Sequence, residues 1–389
     1  MAPANADPDD VAARKAEAMA SVDRLAPVLL EVSHELWAHP ELCFEEHTAH
    51  DLLCGVLEEH GLPTTHHAYG LATAFEARAG TSGPEVAVMC EYDALPDIGH
   101  ACGHNVIAAA GLGAGLATAA LSAEAGGRVR ILGTPAEEGG GGKELMRREG
   151  ALDGISAAMM VHPADADLPT MHCVALQELV VDYHGRASHA AAAPHLGRNA
   201  LDAAVIGYGA VAALRQHIRP HERVHGIFTR AGDKANIVPS EASTQWYVRA
   251  ADLDDLAELK ERVLAAVVAG AAATGCSCEH RWKDPAYADM VDDRWLLERF
   301  ADNAGMVSRA IDPDAPSTVV GSTDMGNVSH HVPSIHPMLA VAPAGVSIHT
   351  PEFAGFARGP EGDAAVLDGA KAMAATVIDV WAAGGVGGR

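Results

Sequence analysis

Residues 90–105 read CEYDALPDIGHACGHN, and what flanks this stretch decides the architecture. The apolar run 85–91 before it has the length of a buried strand, and the small-residue run 106–121 after it reads as a helix. Strand, polar loop and helix in that order form the repeating unit of a largely parallel sheet, in which functional loops collect at the carboxyl ends of the strands. The pattern recurs around it, with strands expected over 72–79, 128–133 and 155–161 and a helix over 142–149 stopped by Gly150.

Upstream, apolar positions from Val11 to Leu36 keep a helical rhythm over 9–39, interrupted at Pro27 and closed by Pro40. A loop and a second helix follow, with Thr48 as the expected N-cap and Gly61 as the stop. His34, His39 and His47 fall here and read as ordinary surface or core histidines, since nothing pairs them at ligand spacing.

Between 177 and 286 the order changes to strand (179–183), helix (199–217), two strands (225–231, 242–250), helix (253–274) and strand (276–282). This is the β-α-β-β-α-β arrangement of a small four-stranded sheet with two helices on one face. The chain is therefore expected to be α/β, with a mainly parallel α/β domain over 1–176 and 287–389 and an inserted ferredoxin-like domain over 177–286. The first domain resumes with a helix around 295–300, a strand near 338–342 and a final helix over 363–381.

A chain of 389 residues that is 49% hydrophobic and 20% charged can bury a large core. Its formal net charge of −25 opposes nucleic-acid and anionic-membrane partners through long-range repulsion. Seven scattered cysteines give no disulfide framework, and the acidic start MAPANADPDD gives no signal peptide. A reducing cytoplasm and no membrane segment are the expectations.

Four short segments carry the chemistry. Cys102 and His104 in HACGHN, Glu137 and Glu138 in TPAEEGGGG, His162 in VHP and His349 in SIHTPEF each follow an apolar, strand-like run. Each is weak alone: a Cys-X-His pair is common without metal, adjacent glutamates are usually a solvated pair, and a strand-end histidine is as often a hydrogen-bonded core residue. Together they share one edge of the sheet and supply the S, N and O donors a transition metal needs. Five donors, Cys102, His104, Glu138, His162 and His349, exceed what one tetrahedral structural zinc uses. Two ions sharing a bridging ligand fit better, with Glu137 as a general base toward water. Asp93 either orients a ligand histidine or caps the DALP turn.

DALPDIGHACGHN, PAEEGGGG, HGRASHAAAAPHLGRNALDA, GDKANIVPS and SIHTPEF resemble, over nearly the whole chain, the amidohydrolases of peptidase family M20, most closely the Cys-containing branch with p-aminobenzoyl-glutamate hydrolase. The resemblance implies that Cys102, His104, Glu138, His162 and His349 bind two divalent ions (zinc or manganese, with cobalt a third option), and that Glu137 is the catalytic base. It also implies that His189 reaches the substrate carbonyl, that Asn236 and Arg249 contact substrate, and that the inserted domain is a lid through which a homodimer forms. Asn105 departs from the HACGHD of much of the branch, and TDMGNVS with Asp324 replaces a common EDF. Charge also singles out Arg249, as a cation beside Asn236 for a substrate carboxylate. The expected function is amide hydrolysis of N-acyl amino acids, aminobenzoyl-glutamate-like conjugates or dipeptides. A deaminase using the same chemistry on a C–N bond, and a non-catalytic metal-dependent binding protein, are the alternatives; Glu137, which a pure binder does not need, argues against the second. His330, His331 and His336 stay without a role at this point.

Overall fold

The computed structural model describes residues 7–316 and 320–386. The chain divides into two compact units, Cys173–Asp289 and a unit made of the flanking segments Met1–His172 and Met290–Arg389.

In the flanking unit six strands lie side by side in the order Thr64–His66, Phe75–Ala79, Arg128–Gly133, Glu85–Cys90, Ile155–Met159, Ser334–Ile335. The last four pair in parallel, and the first two add antiparallel pairings at one edge. Every residue of Glu85–Cys90 is buried, as expected for a central parallel strand covered on both faces. Val86, Val88 and Cys90 join a core with the helices Pro8–Ala38, His104–Ala119 and Pro360–Ala382. Ala87 and Met89 point the other way, into a smaller cluster with Leu132, Met146 and Met325. Each fully buried Val or Met contributes roughly 1.5–3 kcal/mol, so the strand is pinned from two sides. Its one ionic feature is Glu85, which takes both ends of the buried Arg130 guanidinium at 3.2 and 2.9 Å.

Three expectations are corrected here. The helix His47–Glu59 has Glu46, not Thr48, at its N-cap and no cap from its own side chain. Instead the Glu41 carboxylate, from the preceding loop, accepts from the Thr48 and Ala49 amides at 3.0 and 2.9 Å. The strand expected over 72–79 begins only at Phe75, because a 3-10 turn at Ala68–Gly70 precedes it. Met338–Ala340 does not enter the large sheet but pairs in parallel with His162–Ala164, and the sheet's edge is taken by Ser334–Ile335, two residues too short to show a period.

The unit Cys173–Asp289 has a four-stranded antiparallel sheet in the order Ser277–Trp282, Ala175–His184, Glu241–Ala250, Arg223–Arg230. Helices Ala200–Leu214 and Leu253–Thr274 pack on it, and burial alternates along Ala175–His184 because only one face is covered. Among the described residues no helix is long and apolar enough to cross a membrane.

Candidate metal centre

Three loops at the carboxyl ends of the parallel strands, with the SIHTPEF turn, bring the predicted donors together. Cys102 Sγ lies 3.4 Å from His162 Nε2. Two donors at ordinary Zn–S and Zn–N distances around a tetrahedral ion stand about 3.5 Å apart. Ligand atoms of Cys102, His104 and His162 lie within 4.8 Å of one another, and so do those of Cys102, Glu138 and His349. Cys102 belongs to both sets.

The local sequence explains this convergence. Gly103, at φ +81°, caps the helix His104–Ala119, and a Cβ there would stand 2.7 Å from Pro163 Cγ. Only glycine lets the HACGHN turn press against the strand bearing His162. After Arg128–Gly133 the chain turns through Ala136 at φ +60°, and a Cβ on Gly142 would meet the Pro135 carbonyl oxygen at 1.9 Å. The glycine run thus folds the loop tightly enough to turn Glu137 and Glu138 inward. His349 is itself left-handed, at φ +65°, and its amide donates to the Ala101 carbonyl at 2.8 Å. Such a conformation in a non-glycine residue costs on the order of 1–3 kcal/mol and persists where its surroundings enforce it.

Outer contacts orient the donors. His104 Nδ1 faces Asp93 Oδ1 at 3.1 Å, which leaves Nε2 buried and without a hydrogen bond. Asp93 Oδ2 also accepts from the Glu138 amide at 2.9 Å and from Cys43 Sγ at 3.3 Å, so this one carboxylate fixes two of the converging segments. His162 Nδ1 donates to the Pro163 carbonyl at 2.7 Å, which directs its Nε2 to the sulfur. Glu138 Oε1, 3.5 Å from His349 Nε2 and buried, has no hydrogen bond either. Buried polar atoms are rarely left this way. Two of them aimed at one point, among S, N and O donors, fit a divalent metal site.

Burial pushes the Cys102 thiol well up, and a bound cation is what favours its thiolate form. Burial holds His162 down at about 4, keeping its imidazole neutral and able to act as a ligand. Burial, then the charges of Glu91 and Glu138, raise Glu137 well above the usual carboxylate range. For Glu138, burial also acts upward, but His349 and His104 outweigh it and leave the group below its ordinary value.

Sequence reasoning missed the layer behind the base. Lys143 Nζ, fully buried, sits 2.5 Å from Glu91 Oε1 and 2.6 Å from Asp324 Oδ1. Glu91 Oε2 is 3.5 Å from His104 Nε2, and Glu137 Oε2 is 3.8 Å from the same atom. Asp324 therefore stands one ion pair away from the cluster. Glu91 shares the extended EYD segment with Asp93 at spacing two, the one signal that could have placed both on one side. His336, whose ring centroid lies 5.3 Å from that of His162, is buried with neither ring nitrogen hydrogen-bonded.

The other unit holds the remaining candidates. His189 is exposed, and its Nδ1 accepts from the Ala191 and Ala192 amides at 3.3 and 3.1 Å, which puts the ring proton on Nε2. The Asn236 carbonyl accepts from the Ala190 amide at 3.0 Å, joining the two loops. Arg249 is not beside Asn236. It pairs in register with Arg223, at one end of Glu241–Ala250, whereas the loop bearing Asn236 joins that strand at its other end, where Ser243 pairs with Arg230. At about 3.3 Å per residue the strand separates them by more than roughly 20 Å.

A parallel sheet whose loops gather S, N and O donors beside a buried, up-shifted carboxylate is a layout for metal-assisted hydrolysis. The chain belongs to peptidase family M20/M25/M40, whose model matches residues 87–379. It is 38% identical over 386 residues to the Xaa-Arg dipeptidase of Mus musculus, covering 94% of this chain and 88% of that protein. It is 33% identical over 287 residues to a p-aminobenzoyl-glutamate hydrolase subunit of Escherichia coli, covering 68% of this chain and 60% of that one. In fold it is similar to the YXEP protein of Bacillus subtilis, described as a dinuclear metal-binding peptidase of the M20 family, with a TM-score of 0.70 and 20% identity over 92% of this chain and 99% of that one. The chain is a metal-dependent hydrolase of amide or peptide bonds.

Proposed function

We propose that two divalent ions, zinc or manganese with cobalt a third option, are held by Cys102, His104 and His162 on one side and by Cys102, Glu138 and His349 on the other. The observation that carries this is the sharing of Cys102 between two donor sets. When bound, such ions polarise the substrate carbonyl and lower the pKa of water toward neutrality. Glu137 then takes the proton of the attacking water and passes it to the leaving nitrogen; it stands beside the donors, with its Oε2 3.8 Å from His104 Nε2. Asp93 fixes the His104 ring, and the Lys143, Glu91 and Asp324 group sets the charge behind it. His189 donates its Nε2 proton to the carbonyl oxygen as negative charge develops there.

The substrate in this reading is a small dipeptide with a free carboxylate and a basic C-terminal side chain. The name of the mouse relative, Xaa-Arg dipeptidase, supports it, and so does the net charge of −25, which draws cations and repels anionic conjugates such as aminobenzoyl-glutamate. In place of Arg249, which lies at the far end of its sheet from the loop of Asn236, this reading assigns the carboxylate contact to Lys234, exposed in that loop. A homodimer through 177–286 and a cytoplasmic location complete the proposal; all seven cysteines are free thiols.

The test is a rate panel on dipeptides ending in Arg, Lys or Glu, each as acid and amide, with metal analysis of the same preparation. The reading expects two ions per chain, basic ends preferred, and each acid faster than its amide by about ten- to a hundred-fold in kcat/KM. Equal rates on Arg- and Glu-ended peptides would remove the substrate class, and one ion per chain the dinuclear centre.

A further inference from the structure

Away from this centre, on the outer edge of the same unit, a second group of metal-type donors has no part in the chemistry above. The helix His47–Glu59 carries His50 and Cys54 one turn apart, and the strand Thr64–His66 that follows it ends on His66. Ligand atoms of His50, Cys54 and His66 lie within 4.8 Å of one another. We propose that these three side chains form a further site for a borderline-soft divalent ion of the zinc type, clamping the helix to the edge of the sheet.

Three observations carry it. The first is spacing: Cys54 Sγ and His50 Nε2 are 3.6 Å apart, close to the roughly 3.5 Å that sulfur and nitrogen subtend around a tetrahedral zinc. A residue and its fourth successor face the same side of a helix, so the HDLLC segment presents the two donors together. The second is ring orientation. His50 Nδ1 donates to Asp51 Oδ1 at 2.8 Å, which leaves the lone pair of Nε2 directed at the sulfur; a carboxylate on the far nitrogen is the usual partner of a metal-bound histidine. His66 Nε2 likewise has Glu58 Oε1 2.9 Å away. The third is packing. His67 stacks on His50 with ring centroids 5.0 Å apart and an interplanar angle of 9°, and His66 meets His50 edge-on at 5.1 Å.

A buried imidazole beside a buried thiol, with a second imidazole at the solvent edge, offers three converging donors. His50 and Cys54 are buried, at 1% and 0% exposure, so their bonds would be shielded from water. His66 is open to solvent, and the ion enters from that side and keeps a fourth position for water. The thiolate, with Asp51 and Glu58 beside the rings, offsets the charge of a divalent cation. The donor set of two nitrogens and one sulfur selects zinc, copper, nickel or cobalt over magnesium and calcium, which take oxygen.

The experiment uses the full-length protein with zinc as the probe. Wild type, His66→Ala and Cys54→Ser are equilibrated with zinc, desalted and measured for zinc per chain, melting temperature and hydrolytic rate. His66→Ala should hold about one ion fewer than wild type and lose part of the zinc-dependent rise in melting temperature, with the hydrolytic rate unchanged. Cobalt substitution adds a spectroscopic reading: a sulfur-to-cobalt absorption present in wild type should weaken in Cys54→Ser while the remainder, from Cys102, persists. Cys54 is buried, and should its variant fold poorly, His66→Ala, at an exposed position, decides. Equal zinc content and equal zinc-dependent melting shift in wild type and His66→Ala would overturn the proposal.

Discussion

Glu137 and Glu138 are neighbours in sequence, yet burial, with the charges of Glu91 and Glu138, raises the carboxyl of Glu137, while for Glu138 the upward push of burial is outweighed by His349 and His104. Glu138 shares a donor set with Cys102 and His349 that Glu137 does not join, so the proposed centre gives them different tasks. Glu137→Gln keeps the size of the side chain but not its proton acceptance, so turnover should fall by roughly 10²–10⁴-fold with the metal retained. Glu138→Gln should lose both. Metal analysis beside kcat for the two variants checks this, and equal metal loss in both would dissolve the distinction. A second residue gives a pH test away from the catalysis. Burial pushes Asp292 up to about 6, above the value of about 3.9 it has when unfolded. Its stabilising protonated state is fully present below the unfolded value and is lost as pH rises through the folded one. Asp292→Asn should therefore stabilise the protein by about 1–2 kcal/mol at neutral pH, with the gain vanishing near pH 4. Urea unfolding of both proteins at the two pH values measures it.

At the scale of elements, the site depends on loops held where strands end. Gly103→Ala puts a methyl group 2.7 Å from Pro163 Cγ at a φ of +81°. The HACGHN turn must then draw back from His162. The expected cost is about 1–3 kcal/mol of stability, with weaker metal binding in the same variant; unchanged metal affinity would show that the turn can relax without moving Cys102. The buried Lys143 joins the helix Gly142–Arg148 to Glu91 and Asp324. Lys143→Met strands two carboxylates and should cost about 3–5 kcal/mol in thermal or denaturant unfolding. Replacing Asp324 by Leu as well should restore part of that loss.

For the whole molecule, the unit Cys173–Asp289 carries exposed apolar residues on one edge strand and one helix. Ile227 is 60% and Phe228 36% exposed on Arg223–Arg230, and Val205 is 53% and Ile206 42% exposed on Ala200–Leu214. Val211 of the same helix is buried in the unit's own core. An open strand edge with outward apolar side chains invites pairing with a second copy. The expected result is a dimer in sedimentation at micromolar concentration, and Ile227→Lys should shift it to monomer without unfolding it. A monomeric wild-type protein with full activity would count against the dimer.

The α/β class, the β-α-β-β-α-β insertion and the four converging segments were legible in the sequence because each is local: a buried strand writes a short apolar run, and a strand-end loop writes its polar side chains next to that run. The helix Leu253–Thr274 and the strand Arg128–Gly133 fall where the pattern put them. The helix cap at Glu41, the edge strand Ser334–Ile335, the Lys143–Asp324 pair and the true place of Arg249 were not legible. Each joins positions with no period in common, so only packing brings them together. Asn236 and Arg249 show the reason most plainly. They are thirteen positions apart in sequence, close enough to read as neighbours, until an extended strand runs its full length between them.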